Sequence, residues 1–318
     1  MENQTTDNQQ ASIVQEVTDA ILPVMGNQIP PKRLRKDERK ELVWRRPEGK
    51  KFDITPSPRV DEQTWAILEK LAPNKRVLLQ YSTGKDSIAC WLELAERGYT
   101  VVPFFKQTFE GLSFIDSVIA AHEAYFGTEV IIVPNRHLLY DRLKYFNSPT
   151  DLADMGPDYK DVLMYSAKSS SWQIRYRKAM VDMMLEENNC DICVIGTKAS
   201  DSLHRRTHFK VDGPYLPSER LFSLLWRMTK NGPFELMIEK KCPIPKFYLW
   251  LGRSPEFVLE NEFYFIKKYY PEDYYNLCKI LKNLDVYVMK YEHNLKAKHV
   301  IKPSKIIKEA RMNGHPFV

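Results

Sequence analysis

The chain has 318 residues, of which 43% are hydrophobic and 28% charged, and its formal net charge is +6, an ordinary balance for a globular protein in water. No run approaches the roughly 20 apolar residues that cross a bilayer, and the N-terminus lacks the basic and then apolar order of a secretion signal, so we expect a cytoplasmic protein without a membrane partner. The five cysteines are too few and too scattered for a disulfide framework.

The positive charge is concentrated in two flanks. Residues 31–51 hold ten Lys/Arg against four Asp/Glu, and residues 296–311 hold six against one. Such flanks suit a nucleic acid or an acidic protein as partner, because both are polyanions. Solvated termini without a ligand are the alternative, since no aromatic stacking pattern or known nucleic-acid motif accompanies the charge.

Three regions are predicted along the chain. Residues 1–60 form an extended, basic and partly disordered N-terminal arm with a short amphipathic helix at 13–22. Residues 61–215 form an α/β domain, in which 134–170 break the pattern and are a candidate lid or insertion. Residues 216–318 form a mostly helical C-terminal region, whose aromatic residues at helical spacing indicate core packing.

Apolar strands alternate with amphipathic helices through the α/β domain. The predicted strands are residues 77–81, 100–105, 129–133 and 191–195, and the predicted helices are 61–72, 86–97, 113–126 and 172–187. Ser113 and Asp116 predict a capping box at the start of the third of these helices. Continuous apolar strands separated by such helices predict a doubly wound, mainly parallel, Rossmann-like sheet covered on both faces.

A polar loop joins the first strand to its helix, and its residues are Ser82, Thr83, Gly84, Lys85, Asp86 and Ser87. A helix N-terminus leaves backbone N–H groups without partners and carries the positive end of the helix dipole, so anions bind there. Gly84 permits close approach of the backbone, Lys85 adds charge, and the serines offer hydroxyl donors. The loop therefore predicts phosphate binding. It is not the common G-x-x-x-x-G-K-S/T loop, because residue 79 is Leu and an Asp follows Lys85.

This strand, loop and helix resemble the pyrophosphate-binding loop of the PP-loop ATP pyrophosphatases and the PAPS reductase superfamily, usually written S-G-G-K-D-S, with Thr83 at the second position. The resemblance covers roughly residues 75–210. It implies the adenine nucleotide alpha hydrolase-like fold, ATP or PAPS/APS as ligand, and Mg²⁺. It further implies that Lys85 and Asp86 are catalytic, that Asp86 helps to hold the metal, and that Phe105 borders the adenine.

A second group of polar residues follows the strand at 191–195, and its members are Gly196, Lys198, Asp201, Arg205 and Arg206. The segment resembles the G-x-R-x-x-E-S-x-x-R segment of the PAPS reductase superfamily, with Lys198 for the first Arg and Asp201 for Glu. The resemblance implies that these residues contact the phosphates or the sulfate of the nucleotide. Ligands of open α/β sheets bind beyond the carboxyl ends of strands, so the two loops support each other.

Other chemistry is considered and set aside. The residue types of a zinc site occur at Cys190, Cys193, His204 and His208. We expect instead that the cysteines lie in the core and the histidines on the surface. A redox pair at the two cysteines lacks a basic helix N-terminus that would lower a thiol pKa. His122 is on the apolar side of its helix and is expected to be packed rather than catalytic.

Three functions remain open. In the first, an enzyme cleaves ATP between the α and β phosphates, adenylates an acceptor and releases pyrophosphate. In the second, the chain is a nucleotide-binding component of a larger assembly without turnover. In the third, it is a sulfonucleotide reductase that uses an external thiol, because the last cysteine is Cys278 and no cysteine follows in the C-terminal tail.

Overall fold

The structure is a computed structural model that describes residues 51–156, Val162, 170–257, 260–295 and 303–318. The predicted helix at 13–22 and all but the last residue of the basic flank at 31–51 lie outside the described residues, as does part of the candidate lid and of the C-terminal basic flank. No helix in these described ranges combines the length and the apolarity that a membrane crossing requires.

The described residues form a six-stranded sheet whose strands are β1 (Arg76–Tyr81), β2 (Thr100–Gln107), β3 (Ile131–Pro134), β4 (Cys193–Ile195), β5 (Tyr215–Leu216) and β6 (Leu221–Ser223). The strand order is β3-β2-β1-β4-β6-β5. Strand β4 runs parallel to both β1 and β6, whereas β5 is antiparallel to β6. Strands β2 and β3 lie on one side of β1, and β4, β6 and β5 lie on the other side. This confirms the predicted doubly wound, mainly parallel α/β sheet.

Helices occupy most of the remaining described chain. They are α1 (Glu62–Leu71), α2 (Lys85–Glu96), α3 (Ser113–Phe126), α4 (Arg136–Phe146), α5 (Pro149–Asp154), α6 (Ser170–Glu187), α7 (Leu203–Asp212), α8 (Gly232–Glu239), α9 (Phe247–Trp250), α10 (Glu260–Tyr269), α11 (Pro271–Ile280), α12 (Leu284–Leu295) and α13 (Lys305–Met312). The C-terminal region is therefore mostly helical, as predicted.

Two compact units divide the chain, and each is built from separate segments. Of the residues that the structure describes, the first unit holds those up to Gln80, those in Cys90–Phe104 and those in Ser171–Gly232, and the second holds those in Tyr81–Ala89, Phe105–Ser170 and Pro233–Val318. The predicted linear division into 1–60, 61–215 and 216–318 stays a prediction, as does the closing of residues 134–170 over a site.

The core of the first unit is the centre of the sheet. Leu78 and Leu79 of β1 lie in register with Cys193 and Val194 of β4, and all four are fully buried. Their burial on both sheet faces explains why these strands have continuous apolar sequences instead of alternating ones. Trp226, in a later segment of the same unit, holds helix α1, because its indole N–H donates to the Thr64 hydroxyl at 2.8 Å.

The second unit has an aromatic core, to which C-terminal aromatic residues contribute. Phe146, Phe247 and Phe263 are almost fully buried. The rings of Phe146 and Phe263 meet edge to face at 5.2 Å, a favoured geometry for aromatic pairs.

The sequence pattern did not indicate the hairpin-like pair β5 and β6 in residues 215–223. One prediction about elements is wrong. The predicted Ser113–Asp116 capping box is absent, because the N-cap residue of α3 is Leu112, whose side chain makes no capping hydrogen bond. Instead Asp273 accepts hydrogen bonds from the Ser113 hydroxyl at 2.9 Å and the Phe114 backbone N–H at 3.3 Å.

Candidate functional site

The predicted phosphate loop is a tight turn in the second unit. Strand β1 ends at Tyr81 and α2 begins at Lys85, so only three residues, 82–84, join them. Gly84 lies against neighbours that would crowd any larger residue: a Cβ there would be 3.1 Å from the Ser254 hydroxyl and 3.3 Å from the Ser82 hydroxyl. The resulting turn places the first backbone N–H groups of a twelve-residue helix directly after a buried strand, which is the arrangement that favours anions.

Ser87 braces this turn from inside. Its hydroxyl donates to the Gly84 carbonyl at 2.9 Å and accepts the Ser82 backbone N–H at 3.0 Å. Because the single hydroxyl proton of Ser87 is used on the carbonyl, the Ser82 hydroxyl is the donor in the 3.2 Å contact between the two side chains. Ser87 is nearly fully buried, so it holds the loop together. Its predicted role as a phosphate donor stays a prediction.

Lys85 contacts other side chains at the start of α2. Its backbone N–H donates to the Tyr248 hydroxyl at 2.7 Å, and its ammonium lies 2.7 Å from Asp86 Oδ2. The ammonium is also 5.9 Å from the centre of the Phe234 ring. The side chains of Lys85 and Asp86 remain partly exposed, at 19% and 29%, so a ligand in water can reach both of them.

Tyr248 and Ser254 are site residues that the sequence did not indicate. Tyr248 is buried, and burial raises the pKa of its phenol well above the usual value, so the hydroxyl stays protonated while it accepts the Lys85 amide. Both residues lie more than 150 positions from the loop along the chain, in a segment whose only signal is its aromatic content. No local motif could have linked them to Ser82–Ser87.

The carboxylate of Asp86 fits a magnesium ion only in part. The described residues contain no group of three or more His, Cys, Asp or Glu side chains that could hold a metal. Mg²⁺ commonly uses one or two protein carboxylates together with the phosphates of its substrate. Asp86 would therefore contribute one ligand to an ion that arrives with the nucleotide, after giving up its contact with Lys85.

Phe105 lies near the end of β2 and is buried. Its ring packs against that of Tyr81 with the centres 6.3 Å apart. The structure therefore gives Phe105 a packing role in the second unit, and the predicted border with adenine stays a prediction.

The second predicted group belongs to the first unit. The ammonium of Lys198, which is fully buried, lies 3.1 Å from Asp201 Oδ1, and the Arg205 guanidinium lies 2.7 Å from Oδ2. Burial by itself would raise the pKa of Asp201, but the charge and hydrogen bonds of Lys198 outweigh it, and the pKa is lowered. Lys198, Asp201 and Arg205 are thus brought together on the chain that follows Gly196, whereas Arg206 lines a pocket with Lys210. Their contacts with a nucleotide stay predictions.

The residues that were set aside behave as structural residues. Cys190 and Cys193 are buried, and burial raises the pKa of the Cys190 thiol. His122 is fully buried, and its ring nitrogens contact the Tyr81 hydroxyl at 2.6 Å and the Pro243 carbonyl at 3.0 Å. The prediction of a packed histidine is confirmed.

Comparison with known proteins finds matches among solved structures. No protein-family model matches the chain, and no curated protein matches it significantly. Among solved structures, the U34-tRNA thiolase NcsA from Methanococcus maripaludis, determined with its 4Fe–4S cluster, is similar over 79% of this chain and 87% of its own, with 14% sequence identity and a TM-score of 0.40. These values are too low for the substrate or the cluster of that enzyme to be transferred to this chain.

Proposed function

We propose that the loop Ser82–Ser87 binds the phosphates of ATP and that the protein adenylates an acceptor with release of pyrophosphate. The observation that carries the proposal is the loop itself. A three-residue turn leads from buried β1 into α2 and presents Lys85 and Asp86 at the first turn of the helix. Such a turn supplies amide donors, a cation and a carboxylate at one point, which is the set that a nucleotide with a bound magnesium ion requires.

The reaction needs little covalent chemistry from the protein. An acceptor oxygen attacks the α-phosphorus, the bond from that phosphorus to the oxygen bridging it to the β-phosphorus breaks, and the electron pair leaves with pyrophosphate. Lys85 and the amides of α2 would stabilise the growing negative charge of pyrophosphate, because fixed dipoles and charges that are already in place need no reorganisation in the transition state. Magnesium would neutralise part of the phosphate charge.

Lys85 is the residue whose replacement tests the proposal. Isothermal titration with ATP and Mg²⁺, and pyrophosphate release measured with candidate acceptors, are the two readouts. We expect Lys85→Ala to lower pyrophosphate release roughly 100-fold, the loss typical of removing one group that stabilises charge in a transition state. Lys290→Ala removes an exposed lysine from α12 and serves as the matched control, with release at the wild-type rate.

The outcomes separate the three functions. ATP binding without pyrophosphate release for any acceptor would favour a nucleotide-binding component without turnover. PAPS or APS displacing ATP at far lower concentration would favour a reductase that uses an external thiol. If the wild-type protein binds neither ATP nor pyrophosphate, or if Lys85→Ala behaves like Lys290→Ala, the proposal is wrong.

A further inference from the structure

A pocket of about 560 Å³ lies within the first unit. One wall is the extended segment that carries Lys51, Phe52 and Ile54, and another is the face of α7 that carries Arg206 and Lys210. Its volume is within the range of roughly 300 to 1,000 Å³ that small-molecule and cofactor pockets have. None of these residues belongs to the loop Ser82–Ser87.

The lining of the pocket is strongly positive. It includes Lys51, Arg206, Lys210 and Arg227 but only one acidic residue, Asp53. Arg227 is already neutralised, because its guanidinium lies 3.2 Å from Asp53 and 3.5 Å from Asp61. The remaining cations have no ion pair within the part of the chain that the structure describes, so their charge is available to an anion.

Arg206 and Lys210 are placed to act on one ligand. They are four residues apart on α7, so their side chains project from the same face of the helix. Both are exposed. Two neighbouring cations of this kind match a phosphate group, for which the guanidinium offers paired donors and the ammonium a compact charge.

The Phe52 part of the lining is backed by an apolar cluster. The Phe52 ring meets the Trp226 ring edge to face at 6.1 Å, and both pack with Phe209 and Ala199. Gly213 leaves the room that the Phe52 ring fills, because a Cβ there would lie 2.7 Å from the Phe52 Cζ atom. A flat, weakly polar ring of a ligand can therefore lie against this wall while its phosphate reaches α7.

Backbone hydrogen bonds fix the wall in place. The Phe52 N–H donates to the Lys210 carbonyl at 2.9 Å. The Ser57 N–H donates to the Arg227 carbonyl at 2.8 Å, and the Ser57 carbonyl accepts the Thr229 N–H at 2.9 Å. The pocket is thus present before a ligand binds, which lowers the ordering cost of binding.

We propose that this pocket binds a nucleotide, with a phosphate on Arg206 and Lys210 and the base against the wall of Phe52. The basic flank at 31–51, with ten Lys/Arg against four Asp/Glu, leads directly into the rim at Lys51 and favours an anionic occupant over a segment of the chain itself. The nucleotide is either free or part of a single-stranded nucleic acid, since both offer the same phosphate and base. The inference does not depend on ATP binding at Ser82–Ser87.

Two probes and matched variants test this pocket in the full chain. Binding of AMP is measured by titration calorimetry, and binding of a fluorescein-labelled ten-nucleotide single-stranded RNA by anisotropy at several salt concentrations. The test variant is Arg206→Ala/Lys210→Ala, and Arg206→Lys/Lys210→Arg keeps the charges. The control Lys279→Ala/Lys290→Ala removes two charges from exposed positions of α11 and α12. Far-UV circular dichroism confirms that each variant is folded.

We expect the alanine pair at the pocket to weaken binding about tenfold or more and to reduce the salt dependence of RNA binding, because two phosphate contacts are lost. The charge-keeping pair and the control pair should bind as the wild type does. A loss confined to AMP identifies a free nucleotide, and a loss confined to RNA identifies a strand. If neither probe binds the wild type, or if the control pair weakens binding as much as the pocket pair, the proposal is overturned.

Discussion

Thr83 has a backbone conformation that its side chain disfavours. Its φ is +55°, in the left-handed region that glycine adopts readily and that crowds a branched Cβ. The side chain is also almost fully buried. The loop in the families that this sequence resembles has glycine at this position, and the left-handed backbone supplies a physical reason for that preference.

Replacing Thr83 with glycine should relieve this backbone strain. Left-handed backbone costs a residue with a Cβ roughly 1–2 kcal/mol, and the greater freedom of glycine in the unfolded chain offsets part of that gain. We expect Thr83→Gly to have a free energy of unfolding about 1 kcal/mol above that of Thr83→Ala, measured by urea denaturation, because both variants lose the buried threonine side chain. Thr83→Ala keeps the Cβ in the same conformation and is the control. A glycine variant less stable than the alanine variant would contradict this explanation.

The sequence could predict the loop but not the residues that close around it. Ser82, Gly84 and Lys85 stand in one short run next to a strong apolar strand, so their type and spacing indicate the turn and its helix. Tyr248 and Ser254 reach the loop only through the tertiary fold. The buried state of Lys198 was equally hidden, because an isolated lysine in a polar segment reads as an exposed charge.

At the scale of elements, the short helix α9 controls the start of α2. The Tyr248 hydroxyl accepts the Lys85 N–H, which is one of the donors that a bound phosphate would use. A ligand at this point must replace that hydrogen bond, and the net value of such a bond is about 1 kcal/mol. The proposed nucleotide affinity would therefore depend on α9 as well as on the loop.

We expect Tyr248→Phe to bind pyrophosphate about fivefold more tightly than the wild type, because 1 kcal/mol corresponds to roughly that factor. Phenylalanine keeps the aromatic packing against Phe234, whose ring lies 4.9 Å from that of Tyr248. Phe247→Leu, which changes the neighbouring buried ring without touching the amide, is the control. Weaker pyrophosphate binding by Tyr248→Phe would mean that the hydroxyl holds the ligand instead of competing with it.

The sequence predicted the bounds of long elements more accurately than those of short ones. Strands β1 and β2 and helices α1 to α3 have apolar patterns of several residues, and their ends differ from the predicted ends by only a few positions. Strands β5 and β6 have two and three residues, too few for any period to show. The cap of α3 was missed for another reason, since Asp273 approaches it from α11 and sequence proximity favours Asp116.

At the scale of the whole molecule, His122 links acid exposure to stability. It joins the end of β1, through Tyr81, to the chain at Pro243. A carbonyl only accepts, so Nε2 carries the proton that bonds Pro243. Burial lowers the pKa of the ring from 6.5 to about 4, so the ring is neutral at pH 7 and Nδ1 accepts the Tyr81 hydroxyl.

The sign of the effect follows from that lowered pKa. Between about pH 6.5 and pH 4 the imidazole is protonated in the unfolded chain but neutral in the folded protein, so unfolding is favoured as the pH falls. This stability is fully present above pH 6.5 and has been lost below the folded pKa. At pH 5 this pKa shift lowers the free energy of unfolding by about 2 kcal/mol.

His122→Gln offers the comparison that isolates this contribution. Glutamine can donate to Pro243 and accept from Tyr81 but does not titrate. We expect the wild type to be the more stable protein at pH 7.5, and its advantage in free energy of unfolding to shrink by about 2 kcal/mol at pH 5. Urea denaturation at both pH values measures the difference, and carboxylates that titrate in both proteins cancel in it. An advantage that stays the same at pH 5 would mean that the buried imidazole takes up a proton as readily as it does in the unfolded chain, in which case Nδ1 would donate to the Tyr81 hydroxyl at pH 5.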